Sequence, residues 1–166
     1  MRQMRIRKAA GADFRTICVI YASAREYMKA AGNPNQWKDE YPPLSLIEAD
    51  ISSAACHVVG DEDGIHGVFA LITGGDPLYS DIRCRSWPDS GPYLAVHRVA
   101  SDGSRRGVFR AISDHCKSLG MNIRIDTHSD NAVMLRHIEA AGFRRCGIID
   151  LPDGSERIVF QWTCGG

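Results

Sequence analysis

The chain of 166 residues holds no apolar run near the ~20 residues a membrane-spanning helix needs. It has no excess charge either, because 20 Lys+Arg face 20 Asp+Glu. That balance excludes a dedicated nucleic-acid binder, whose affinity rests on surplus cations facing phosphates. Six cysteines are spread with no C-x-x-C pair, which excludes a disulfide frame or a zinc site and leaves buried thiols of a reducing compartment. The cytoplasm is therefore the expected address. Met1-Arg2-Gln3-Met4-Arg5-Ile6-Arg7-Lys8 has basic residues without an apolar run behind them, so no secretory signal is expected. Repeats, low-complexity tracts and linkers are absent, as are the P-loop and G-x-G-x-x-G motifs. What remains is ordinary: 44% apolar and 24% charged residues, enough for one α/β domain over residues 1–166 with a real core.

Residues 4–8 alternate apolar and basic side chains, which predicts a short strand. Asp13 predicts an N-cap, followed by Phe14, Ile17, Cys18, Tyr21, Ala24 and Met28 at helical spacing and a stop at Gly32-Asn33-Pro34. After a polar and aromatic loop over residues 35–43, Ser45-x-x-Glu48 reads as a capping box. It opens a second helix with Leu44, Ile47, Ile51 and Ala55 along one stripe. His57-Val58-Val59 and residues 65–73 flank Asp61-Glu62-Asp63-Gly64, a hairpin signal. Residues 76–92 hold three prolines and little periodicity, and read as an irregular excursion. Further on, the pattern predicts strands at 93–100, 122–126, 143–149 and 157–162 and helices at 106–119 and 131–141. Hairpins in the middle and at the end, with β-α-β crossovers between, predict a mixed sheet flanked by helices on both faces.

The segment Val99-Ala100-Ser101-Asp102-Gly103-Ser104-Arg105-Arg106-Gly107-Val108-Phe109-Arg110-Ala111 passes from a strand through a Gly/Ser turn into a helix. Free N–H groups and the helix dipole favour an anion there, and Arg105, Arg106 and Arg110 add charge. By itself this segment reads first as a helix start with solvated arginines. Downstream, Asp126-Thr127-His128-Ser129-Asp130-Asn131 leads into an apolar helix ending at Gly142-Phe143. Asn131 alone is an ordinary N-cap.

Together these two segments resemble motif A and the following signature of the GNAT superfamily of N-acetyltransferases. Arg106 and Ala111 stand at the ends of the Arg/Gln-x-x-Gly-x-Gly/Ala loop, with Phe109 in place of its central glycine. The resemblance extends over nearly the whole chain, in the order of its elements. It implies acetyl-CoA as cosubstrate and no metal. The pyrophosphate is implied at Val99, Ala100, Ser101, Arg105, Arg106, Gly107, Val108, Phe109 and Arg110. Asn131 is implied beside the pantetheine arm, with Met134 and Ile138 at the thiol end. Ile138 stands where many members carry a tyrosine acid, and offers no proton.

The resemblance also places His97 beside the thioester, where its reference pKa of ~6.5 suits it as the base for an amine. A hydrogen-bonded structural histidine is the alternative. Trp37, Tyr41, Tyr93 and His128 are the candidate acceptor-side residues. His57 and His66 read as plain strand residues, and Trp87 and Trp162 as packing. The acceptor implied is a primary amine of a small molecule or peptide, with neither nucleic acid nor membrane as partner. Homodimers are common in the family, although nothing in this sequence specifies one. Two other readings stay open: an acyl-CoA-binding or sensing domain without transfer activity, and an α/β domain for another phosphorylated ligand.

Overall fold

The computed structural model describes residues 3–166; Met1 and Arg2, at the start of the basic segment, lie outside the described residues. Seven strands form one mixed sheet: β1 (Arg5–Lys8), β2 (Cys56–Asp61), β3 (Gly64–Ile72), β4 (Tyr93–Ser101), β5 (Asn122–Thr127), β6 (Arg144–Asp150) and β7 (Glu156–Trp162). Their order is β1-β2-β3-β4-β5-β7-β6. All neighbouring pairs are antiparallel except β4 and β5, which run parallel because a helix crosses over between them. Among the described residues four α-helices accompany the sheet: α1 (Phe14–Ala30), α2 (Leu44–Ser52), α3 (Val108–Lys117) and α4 (Ala132–Ala140). The expected mixed α/β architecture is thus present, with each expected strand and helix in its expected order.

One face of the sheet packs on α3 and α4 through Val59, Phe69, Val96, Ile112, Ile123, Ile138 and Phe160. The opposite face has two separate covers. Ile17, Ile20, Tyr21 and Ala24, the apolar stripe of α1, close over Val58 and Val68 at the β1–β3 end. At the other end, Tyr79 from the 76–92 excursion closes over Ala95, Cys146 and Val159. The excursion is tied down along its length. Arg83 exchanges backbone hydrogen bonds with Ile148 and pairs with Asp150 and Glu156. The Trp87 indole N–H donates to the Tyr79 carbonyl at 2.9 Å. The Arg124 guanidinium of β5 lies between the Trp87 and Tyr93 rings, 3.9 Å from each centroid.

Several local expectations differ from the structure. The Ser45/Glu48 capping box does not form, because Pro43 takes the N-cap position and its fixed φ already starts the helix. That helix ends at Ser52, so Ala55 lies beyond it, and Leu44 is exposed. Asp13 stands at the N-cap of α1 without capping it. Its carboxylate instead accepts from the Ala10 N–H and from the Arg7 guanidinium. The third helix starts at Val108 and not at 106, since Gly107, at φ 78°, is still in the left-handed region. Within the excursion, residues Pro77–Tyr79 form a 3₁₀ turn that the sequence pattern does not signal.

Candidate active site

The parallel pairing of β4 with β5 runs from Tyr93↔Asn122 to Val96↔Ile125 and stops there. Both strands continue, β4 along β3 to Ser101 and β5 along β7 to Thr127. His97 and Asp126 would form the next rung, so the sheet splits open at these two residues. A bulge in β4 contributes: the β3–β4 register shifts between Val68 and Ala70, and Arg98 takes φ 53°. Past the split, no strand among the described residues pairs with the β5 side of β4.

Three groups converge on the His97 ring from the face opposite α3. Asp76 Oδ2 lies 2.6 Å from Nε2, and Asp126 Oδ2 lies 3.5 Å from Nδ1. The buried Tyr79 hydroxyl donates to Asp126 Oδ2 at 2.7 Å. The hydrogen bond from His97 holds the Asp76 carboxyl below the usual carboxylate range, against the opposing effect of burial. Burial pushes the Tyr79 phenol well above its ordinary value, so it remains a donor. The Tyr93 hydroxyl accepts from the Asp76 N–H at 2.8 Å. His97 is thus hydrogen-bonded, and it stands where the β4–β5 pairing ends.

Beside it, Arg98 makes a two-pronged ion pair with Asp50 of α2, at 2.8 and 3.0 Å. It also donates to the Tyr41 hydroxyl at 3.2 Å, while its carbonyl accepts from Tyr21 at 2.9 Å. Trp37 is buried edge-on to Tyr21, and Tyr41 stays partly exposed beside it. The α1–α2 loop carrying them also crosses to the far side of the split. Gln36 Oε1 accepts from Asn33, from Thr127 of β5 and from Asn131, and the Gln36 carbonyl accepts from Arg157. Burial lowers the Arg157 pKa. Neither Gln36 nor the acidic pair Asp76/Asp126 carries a sequence signal of its role, because the partners they meet at the split lie 21 to 121 residues away.

Asn131 caps α4 by accepting the Met134 N–H at 3.1 Å and donates to Gln36 at 3.0 Å. Asn131→Ala is expected to cost about 1–2 kcal/mol through the lost cap. Thermal melts of the variant against the wild-type protein measure this loss.

The strand-to-helix segment differs from the sequence expectation in where its charge points. Arg105 turns back to the β2–β3 turn and pairs with Asp61 at 2.8 Å and Asp63 at 2.6 Å. Arg110 is exposed and lies 3.8 Å from Asp114 of its own helix. Arg106 is exposed on the turn itself. The local cationic excess is therefore smaller than the three arginines suggest, because Arg105 is neutralised in place. The side chains of Val108, Phe109 and Ile138 are buried in the core and Val99 packs against it, so only backbone from these positions is open to a ligand. Ala100 is buried on the α1 side, and Met134 is half-buried beside the α4 core. The first-turn N–H groups of Val108, Phe109 and Arg110 have no partner among the described residues, while Ala111 N–H already bonds to Gly107.

His66 is more than a strand residue: its ring lies 2.9 Å from both Asp61 and the Ser104 hydroxyl, fastening the Ser101–Gly107 turn to the β2–β3 hairpin. His128 accepts from the Asp130 N–H in the β5–α4 turn, and its ring is not part of the His97 cluster. Cys146 lies in the core. Among the described residues no group of three His, Cys, Asp or Glu side chains is arranged to hold a metal ion.

Solved structures share this fold. An acetyltransferase of the GNAT family from Streptococcus agalactiae is 26% identical over 100% of this chain and 99% of that one, with a TM-score of 0.86. The chain has the GNAT acetyltransferase fold. A GNAT-family acetyltransferase from Listeria monocytogenes matches at TM-score 0.71 and 18% identity, over 96% of this chain and 94% of its own. An aminoglycoside acetyltransferase in complex with coenzyme A and kanamycin matches at TM-score 0.64 and 15% identity, over 97% and 95%. No protein-family model and no curated protein matches the chain. In this GNAT fold the β4–β5 split, the Gly107 turn and the Asn131 cap all occur at the ends of the two parallel strands.

Proposed function

We propose that the protein transfers the acetyl group of acetyl-CoA to a primary amine of a small molecule or peptide, with both substrates bound together. The observation that carries this reading is the opening of β4 from β5 at His97 and Asp126, beside a helix start with unpartnered N–H groups. These N–H groups, with Arg106 and Arg110, suit the pyrophosphate, and the turn at Gly107 lets the backbone approach it. The β4 backbone past Val96 offers N–H groups toward the thioester oxygen, and fixed donors of this kind stabilise charge that develops on it. The acceptor amine would enter from the face of Trp37, Tyr41, Tyr79 and Tyr93. Its nitrogen attacks the thioester carbonyl, the C–S bond breaks, and the amine gives up a proton. Held side by side, the two substrates need little further assistance, because a thiol with a pKa of ~8.5 is a tolerable leaving group.

A second reading, an acyl-CoA-binding domain without transfer activity, is favoured by one observation. Ile138, which stands where the sequence resemblance implies a tyrosine acid, is fully buried in the core. Calorimetry with CoA and acetyl-CoA, followed by thiol release across an amine panel, decides between them. Binding with turnover is the expected result. Binding without turnover of any amine supports the second reading, and binding of neither ligand defeats both.

The carboxylates also set an expectation for stability. Asp76 and Asp102 are held below their ordinary values, Asp76 chiefly by the His97 hydrogen bond and Asp102 by Ser104 and His66 against opposing burial. A lowered folded pKa adds stability above the unfolded value of ~3.9 and loses it as pH falls through the folded one. The contribution of these two carboxylates should therefore hold from neutrality to about pH 4 and then fall, read by melts across an acid series.

A further inference from the structure

We infer that Asp76 and His97 form a catalytic dyad in which Asp76 holds the imidazole proton on Nε2, leaving Nδ1 at the split as the base for the acceptor amine. The inference rests on the acetyl-transfer reading and adds to it a positioning residue and a defined ring nitrogen. Its basis is geometric. An ionised carboxylate can only accept, so the 2.6 Å contact with Asp76 Oδ2 places the ring hydrogen on Nε2. Nδ1 then carries the lone pair. Among the described residues it has no hydrogen-bond partner, and Asp126 Oδ2 stands 3.5 Å away across the split. That distance is long for a hydrogen bond, so Asp126 does not occupy Nδ1 as Asp76 occupies Nε2.

Asp76 is itself fixed. The backbone turns into it through Gly74 and Gly75, at φ 82° and 92°. Its N–H donates to Tyr93, and its other oxygen, Oδ1, accepts from the Leu78 N–H at 2.9 Å. The groups facing His97 are Asp76 from the excursion, Asp126 from β5 with Tyr79 bound to it, and the Tyr79 ring at 5.7 Å. The next residue along β4, Arg98, directs its charge to Asp50 instead. The ring keeps 14% of its side-chain surface exposed, so one edge is reachable from solvent.

As the N–C bond forms, the amine proton passes to Nδ1. The C–S electron pair stays on sulfur as that bond breaks. The imidazolium then gives its proton through solvent to the thiolate, and the sum is amide plus CoA thiol. One ring would so serve both proton transfers, which accounts for a site without a tyrosine acid at position 138.

The test needs no known acceptor for its first arm. Ring ¹⁵N–¹H correlation spectra of the wild-type protein, with His97→Gln to assign His97, should show the Nε2–H tautomer. Asp76→Asn keeps an oxygen for the Leu78 cap, but its amide offers a donor to Nε2 and should shift the ring toward Nδ1–H. A wild-type ring protonated on Nδ1, or an Asp76→Asn ring with the wild-type pattern, would overturn the dyad. Where the variant does not fold, the wild-type spectrum decides alone. In the second arm, Asp76→Asn should lower kcat about 10²- to 10⁴-fold with the KM for acetyl-CoA unchanged. A variant with wild-type kcat would likewise overturn the inference. Failure of the wild-type protein to bind CoA is a separate outcome, and it overturns the acetyl-transfer reading instead.

Discussion

Arg98→Met is expected to destabilise the protein by about 3–5 kcal/mol, because it leaves a buried Asp50 carboxylate without its cation. For a chain of this size that corresponds to a fall in Tm of roughly 10 °C. The pair is only 11% and 10% exposed at its side chains, so little solvent remains to take over the guanidinium's role. Replacing both partners, as in Arg98→Met with Asp50→Leu, should recover most of the loss, since two apolar groups need no compensation. Urea unfolding of the two single variants and the double variant measures this. A single variant within 0.5 kcal/mol of wild type would show that Asp50 is hydrated or protonated at little cost. The variant also releases the Tyr41 hydroxyl, so the α1–α2 loop should loosen and the KM for the acceptor should rise more than that for acetyl-CoA.

The second large effect belongs to Arg124. Its guanidinium lies between Trp87 and Tyr93, donates to the Gln161 side chain at 3.0 Å and donates to the Asp89 carbonyl at 3.2 Å. Burial lowers its pKa, yet two ring faces and two oxygens still hold the charge in place. Arg124→Met keeps much of the stem and removes all four contacts. A desolvated cation–π contact contributes up to about 2 kcal/mol and a hydrogen bond from a charged donor about 1.5–3 kcal/mol. Because the contacts share one group and are not additive, a loss of about 3–4 kcal/mol is expected. Hydrogen exchange should accelerate first in residues 76–92, and kcat should fall because the loosened segment carries Asp76 and Tyr79. Unchanged protection there would mean that Arg83 and Ile148 alone hold the excursion.

Much of the scaffold could be read along the chain. Strand and helix positions followed from alternation and helical stripes, as with Ile17, Tyr21 and Ala24 on α1, all buried as the spacing required. The strand-to-helix turn before α3 and the Asn131 cap were visible because capping and turn chemistry act over a few residues. Boundaries drifted where a cap was misread: Pro43 and not Ser45 opens α2, and Gly107 delays α3 by two residues. The fate of the charges was not visible. Arg105 looked like part of an anion grip, and two aspartates from a hairpin more than 40 residues upstream neutralise it.

By itself the sequence determined the order and type of the elements, the candidate turn for an anion and the histidine on the fourth strand. These are local properties, encoded by spacing within about one helical turn or one strand. Only the tertiary structure decided that β4 and β5 part at His97 and Asp126, that Asp76 returns to the ring and that Gln36 links both sides of the opening. Each joins residues far apart in the chain, and such pairings leave no periodic trace, because they depend on where the sheet twists and which loop covers it. The even balance of charge is a property of composition. Its division into a cluster of two carboxylates around one imidazole, and a helix start with its amides open, is a property of the fold.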